Sequence, residues 1–144
     1  MIAAIDAFSK GARLKRIQLK FHRLPNRYAI VRLAADGALP DWASKGDFTS
    51  ITRTSDELSI VCPAENLPAD VQSQSRWICL KLEGPYSVSA TGIIISFIEP
   101  LSEKGVPVFT ISTYDTDYVL IQEAIAELAI EMLQSSGHQL LPGN

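Results

Sequence analysis

The stretch Val108–Ile121 places two apolar, strand-favouring runs on either side of a polar centre. The first run ends in Ser112 and Thr113 and the second begins at Asp117, with Tyr114, Asp115 and Thr116 between them. Such runs around a short polar turn predict a β-hairpin whose tip is crowded with hydrogen-bonding side chains. An earlier stretch, Phe48–Val61, has the same shape. Sliding one onto the other without gaps lays Ile51 on Ile111, Thr52 on Ser112, Glu57 on Asp117 and Leu58 on Tyr118. The chain therefore reads as two copies of one small unit, a duplicated domain rather than a solenoid.

The second copy is the fuller. Trp77 to Glu83 predicts a strand closed by Gly84 and Pro85. Ser87 or Ser89 is placed to cap a helix that runs through the isoleucines at 93–95 to Glu103 and stops at Gly105, with Pro100 inside it. After the hairpin, residues 123–136 predict a second helix, with Ile125, Leu128, Met132 and Leu133 as its buried stripe and Glu123, Glu127 and Glu131 on its wet face. His138 to Leu141 supplies a last edge strand. The order β, α, β, β, α, β is the split βαβ, or ferredoxin-like, pattern.

Leu14–Phe21 carries a half-buried strand pattern at Ile17, Leu19 and Phe21, and the first copy goes on to predict a strand at Tyr28–Leu33, a short helix at Leu39–Ser44, the hairpin, and then loop from Pro63 to Ser75 where the second helix should stand. It is a degraded copy, and the Trp77 strand serves both. The fold class expected is α+β, in tandem ferredoxin-like (βαββαβ) units with antiparallel sheets and helices on one face. The divisions expected are a lead-in over 1–13, a first unit over 14–76 and a second over 77–144.

At 144 residues, no apolar run approaches the length of a membrane helix, and Met1 to Phe8 lacks a basic segment ahead of its apolar part. The cytoplasm is the expected compartment, with no membrane partner. Cys62 and Cys79 fall in strand runs and read as buried free thiols. Charge is uneven: Met1 to Leu33 holds eight Lys or Arg and one acid, and the rest holds five basic and fifteen acidic residues. The basic residues are spread along strand-like sequence rather than blocked, so nucleic-acid binding is not expected. They are placed to face the acidic second half, within the chain or across a dimer.

No nucleophilic triad or Cys/His metal spacing is present, and His22 and His138 read as surface or edge residues. Asp115 and Asp117 can share one strand face, the minimum for a divalent cation, or the turn can simply bond its own backbone. A third reading is recognition of a zwitterion. The helix start at Thr91, Gly92 and Ile93 would offer backbone N–H groups to a carboxylate, and Thr113, Asp115 and Asp117 would accept from a cation.

Three stretches, Phe48–Leu58, Pro100–Glu103 and Ile111–Tyr118, carry a resemblance to the ACT-domain proteins, in particular the small tandem-ACT proteins of bacteria. The chain also looks like one half of the eukaryotic cytosolic arginine sensor, which has four ACT domains. The resemblance implies a non-catalytic regulatory protein that holds a small amino acid between ACT domains, without cofactor or metal. It maps the ligand site onto Thr91, Gly92 and Ile93, onto Ser96 and Phe97 in the helix, and onto the turn Thr113, Tyr114, Asp115, Thr116 and Asp117. Ala90 replaces an acid of the arginine-binding relative, which leaves the identity of the amino acid open. Two units instead of four imply a homodimer with two symmetric sites, and an unidentified protein partner downstream. The alternative is an interaction module that keeps the fold without the ligand.

Overall fold

The structure, a computed structural model, describes residues 16–143 apart from 72 and 74. The expected lead-in over 1–13 lies outside the described residues. The strands are β1 (Lys20–Arg23), β2 (Tyr28–Leu33), β3 (Ser50–Arg53), β4 (Leu58–Pro63), β5 (Trp77–Leu82), β6 (Phe109–Ser112), β7 (Asp117–Gln122) and β8 (Gln139–Leu140). The helices are α1 (Ile93–Glu103) and α2 (Ala126–Ser135). Short 3-10 turns stand at Asp41–Ser44, Ala64–Asn66 and Glu123–Ile125. The chain is an α+β protein of tandem ferredoxin-like units, the first degraded to strands and single turns.

The first unit is the antiparallel ribbon β3-β4-β2, and the second is built on β6-β7-β5. They meet where Tyr28 pairs with Trp77. Equivalent hydrogen bonds set the true register of the duplication. Thr54 N–H donates to the Glu57 carbonyl at 2.9 Å, and Thr113 N–H to the Thr116 carbonyl at 2.8 Å. Ala64 N–H donates to Arg27 at 2.8 Å, and Glu123 N–H to Arg76 at 2.9 Å. Thr54 thus corresponds to Thr113, and Tyr28 to Trp77. Each of that last pair bridges to its own counterpart, so a local pseudo-dyad runs through the joint.

This corrects the alignment drawn from sequence by one residue. Matching Ile51 to Ile111 maximised chemical likeness, but on a strand a one-residue slip exchanges the faces. In the true register Ile60 matches Val119 and Val61 matches Leu120. Ile60 and Val119 face the helical or turn side of their units, whereas Val61 and Leu120 share the core between the units with Tyr28, Phe48 and Cys79. Both faces of the sheet are therefore buried, which is why β4, β5 and β7 carry unbroken apolar runs.

The main core lies between the sheet and the two helices. Ile78, Leu80, Leu82, Val119 and Ile121 meet Phe97, Leu101, Ala129, Ile130 and Leu133 there. The buried stripe of α2 is Ala126, Ala129, Ile130 and Leu133, not the one expected. Leu133 is kept, Ile125 and Met132 pack at the margin, and Leu128 is 52% exposed. The cause is the 3-10 turn Glu123–Ile125, which delays the start of the helix and rotates its face. Glu123, Glu127 and Glu131 are exposed as expected.

β1 is the element the sequence order did not place. It inserts between β5 and β8, antiparallel to the first and parallel to the second. It thereby occupies the sheet position next to β5 that the last strand of a ferredoxin-like unit would take. Phe21 is fully buried and meets Phe97 edge-on, with ring centroids 5.1 Å apart. Basic side chains of this segment lie against acids of the second unit: Arg16 on Glu99, Arg23 on Glu127 at 2.7 Å and Arg27 on Glu123 at 3.3 Å. Cys62 and Cys79 are buried free thiols, and burial raises the pKa of both.

Candidate functional site

α1 does not begin at a serine cap. Ser87 and Ser89 sit in the preceding loop, where the Ser87 hydroxyl accepts from Ser89 N–H at 3.2 Å. The helix begins after Gly92, which takes a left-handed φ of 79° and offers no side-chain cap. The first N–H groups of a helix have no intrahelical acceptor. Here they remain available beside a glycine that lets another group approach closely. The far end closes as expected: Gly105, at φ 74°, donates to the Ser102 carbonyl at 3.0 Å, and Val106 to Leu101 at 3.0 Å.

The β6–β7 turn is fixed from within and from the sheet. The Thr113 hydroxyl donates to the Thr116 carbonyl at 3.0 Å and accepts from Thr116 N–H at 3.4 Å. Thr116, 6% exposed, donates its own hydroxyl to the Leu82 carbonyl at 2.9 Å. The Asp115 carbonyl accepts from Tyr86 N–H at 2.7 Å. A Cβ on Gly84 would stand 3.0 Å from that carbonyl and 3.2 Å from Thr116 Cβ, so a glycine is needed for the loop to close on the turn. Thus the end of β5, the loop after it and the hairpin tip form one rigid corner.

Between this corner and the start of α1 lies a cleft of about 350 Å³. Among the residues expected from sequence, Gly92, Ile93, Thr113, Tyr114, Asp115, Thr116 and Asp117 line it. Thr91 is an exposed neighbour that does not line it. Ser96 and Phe97 stand elsewhere: Phe97 is core, and the Ser96 hydroxyl accepts from Ile17 N–H at 3.0 Å. Ala90, which the resemblance sets beside the site, lines the cleft, and Tyr86, Ser87, Val88, Ile94 and Ser112 line it without having been expected. The hint of Tyr86, Ser87 and Val88 was the loop length between Gly84 and Gly92, whereas Ile94 and Ser112 adjoin residues already singled out.

The cleft is electrically divided. The start of α1 carries the positive end of the helix dipole. Across from it, Asp117 Oδ1 accepts from the Ser112 hydroxyl at 2.5 Å, with Asp115 at the turn. Burial first, then the Glu83 and Asp117 charges, raise the pKa of Tyr86 and keep its phenol neutral. Amide donors on one wall, carboxylates on the other and apolar side chains such as Val88 and Ile93 in the same cleft suit a small zwitterion. The corresponding place in the first unit is bridged by the chain's own cations. Arg53, the counterpart of Ser112, donates to the Ala35 carbonyl, and Arg32 donates to the Asp56 carbonyl at 2.8 Å. A single 3-10 turn stands there in place of a helix.

His138 is not a surface residue. It is 5% exposed, its Nδ1 accepts from Leu19 N–H at 3.1 Å, and its Nε2–H donates to the Ser96 carbonyl at 3.0 Å. That carbonyl would have taken the N–H of residue 100, which proline lacks.

Two duplicated units fused in one sheet, with one open cleft at a helix start, define a tandem ACT-type protein. The profile of the ACT domain matches residues 72–135, which makes the second unit an ACT domain. A second profile, describing an N-terminal domain, matches residues 26–70. The cytosolic arginine sensor for mTORC1 subunit 1 of Bos taurus is 26% identical over 138 residues, 80% of this chain and 42% of the sensor. The chain thus spans less than half the length of the curated relatives it matches. The solved structure of Atu0741 from Agrobacterium tumefaciens superposes with a TM-score of 0.83 at 42% identity, covering 89% of this chain and 96% of that one. Clostridium acetobutylicum aspartate kinase, an allosteric enzyme, shares the fold alone: its TM-score is 0.58 at 12% identity, over 88% of this chain and 36% of the kinase.

Proposed function

We propose that this chain is a regulatory binding protein whose ligand is a small amino acid held in the cleft between α1 and the β6–β7 turn. The observation that carries this reading is the pairing of an uncapped helix start at Gly92 with the Asp115 and Asp117 carboxylates across one cleft. The amide N–H groups of the first turn of α1 hold the carboxylate, and Asp117 holds the ammonium or a cationic side chain. Thr113 and Tyr114 line the space between. The role is binding, not turnover. Descent from amino-acid sensing relatives supports the class of ligand, and Ala90 argues for a ligand other than one chosen by an acid at that position.

The cleft is completed by a second copy of the chain. Val88 and Tyr114, 72% and 83% exposed, stand at its rim as large side chains suited to burial against a partner. A two-fold pairing would then close two equivalent sites. The same reading places the protein in the cytoplasm, where the free amino-acid pool is sampled.

Thermal unfolding against each common amino acid at millimolar concentration tests the reading. A ligand at about 100 times its Kd adds roughly 2.7 kcal/mol of stability, a rise of several degrees. A selective rise with one amino acid, accompanied by dimer in analytical ultracentrifugation, is expected. No rise with any of them would leave an interaction module that keeps the fold without the ligand.

A further inference from the structure

We propose that His138 is a proton-operated latch, whose neutral ring ties the first turn of α1 to β1 and β8 and whose protonation releases that tie. The tautomer follows from the partners. A backbone N–H can only donate and a carbonyl can only accept, so Nδ1 is the acceptor for Leu19 and Nε2 carries the proton given to Ser96. A second proton would put an N–H at Nδ1 facing the Leu19 N–H, and the strand would lose its buried acceptor. The same segment is held to α1 once more, through Ile17 N–H on the Ser96 hydroxyl. Ser96 therefore receives both ties, one on its side chain and one on its carbonyl.

Among the described residues no carboxylate is bonded to the ring, so a second proton gains no ion-pair partner there. His138 borders a cavity of about 200 Å³ together with Arg16 from the segment before β1 and Glu99 and Glu103 from α1. Arg16 is bonded to Glu99 and stands 3.9 Å from Glu103, so those carboxylates already have a cation. β8 adds only Gln139 and Leu140, and the Phe97 ring lies 5.2 Å from the imidazole. Burial accordingly lowers the His138 pKa, against the opposing pull of the Ser96 carbonyl.

Residues 92–94 of the same helix wall the cleft. Where the cleft holds its amino acid, occupancy and latching favour one another, and the coupling is reciprocal. This last step rests on the reading of the cleft given above, whereas the latch itself does not.

Amide exchange and imidazole shifts, followed by NMR on the full chain from pH 7.5 to 5, test both. The Leu19 protection factor should fall about tenfold per pH unit once pH drops below about 6.5, until the ring is protonated. Leu120, which exchanges only when the whole fold opens, should stay better protected than Leu19 throughout, although His138 linkage lowers its protection over the same range. In His138→Gln the side-chain amide can serve both partners without titrating, and the pH dependence at Leu19 should vanish. Leu19 protection equal to that of Leu120 at every pH would overturn the latch, because Leu19 would then open only with the whole fold, as would a wild-type pH dependence kept in His138→Gln. Should that variant not fold, the wild type still decides: a fall in Leu19 protection that does not level off at the ring's midpoint would overturn the latch. Saturation with the amino acid found by thermal unfolding should lower the ring's midpoint. An unmoved midpoint would overturn the coupling, whereas an empty amino-acid panel would overturn the cleft reading and leave Leu19 to decide the latch.

Discussion

At the scale of single residues, the roles divide between groups that shape the cleft and groups that face into it. Thr116 shapes it: its hydroxyl reaches the Leu82 carbonyl and is almost wholly buried. Thr116→Val keeps the volume and loses the donor, leaving a buried carbonyl unpaired. Chemical denaturation should show a loss of about 1–3 kcal/mol. Asp117 faces inward at the rim, and Asp117→Ala should weaken the amino acid that stabilises the wild type about 10- to 100-fold, the worth of a hydrogen bond to a charged group. The melting temperature of the ligand-free variant should stay within a degree or two of wild type, and unchanged affinity by calorimetry would remove Asp117 from the site. Gly92 combines both roles, since its φ of 79° is one that a side chain strains. Gly92→Leu should cost about 1–2 kcal/mol of stability and abolish binding. These residues were legible because turn chemistry and a helix-start glycine are local signals. His138 was not, because its two partners lie 119 and 42 positions away along the chain and nothing near it announces them.

At the scale of elements, strand positions were readable and faces were less so. Runs such as Tyr28–Leu33, Leu58–Pro63 and Trp77–Leu82 declare strands by composition, whichever face each residue takes. The face of a helix depends instead on where its first full turn begins, and the 3-10 turn at Glu123–Ile125 shifts that point. Leu128 shows the consequence. Leu128→Lys should change stability by no more than about 0.5 kcal/mol, as at an ordinary exposed site. Leu133→Ala should cost about 2–5 kcal/mol, because Leu133 has no exposed surface and the sheet cannot collapse onto the space. Urea titrations of the two variants check this, and a large loss from Leu128→Lys would return that residue to a buried stripe. The hairpin register failed for a related reason. Likeness of residue type favours one offset, whereas the hydrogen bonds of Thr54 and Thr113 enforce the next.

At the scale of the whole molecule, the governing fact is that β1 is supplied from ahead of the first unit to the sheet of the second. No periodicity in Leu14–Phe21 could have shown this, since a half-buried strand pattern says how a strand lies but not which strands flank it. The energetic weight is large. Leu19 and Phe21 are each buried, worth about 1.5–3 kcal/mol apiece, and removing β1 would also strip the edge of β5 and take away the sheet partner of β8. Against a total stability of about 5–15 kcal/mol for a protein of ordinary robustness, such a loss is decisive. A chain shortened to residues 25–144 should therefore be unfolded or molten, even though it retains all of the 72–135 ACT match and every residue lining the cleft. A chain of residues 16–144 should fold, and a peptide of residues 16–27 added to the shorter chain should restore a dispersed amide spectrum by filling the gap between β5 and β8. A cooperative melt and dispersed spectrum from residues 25–144 alone would show that the second unit is self-sufficient and that β1 merely decorates it. The expected outcome makes the N-terminal strand a structural part of the ACT unit that binds, which joins the two copies into one cooperative body.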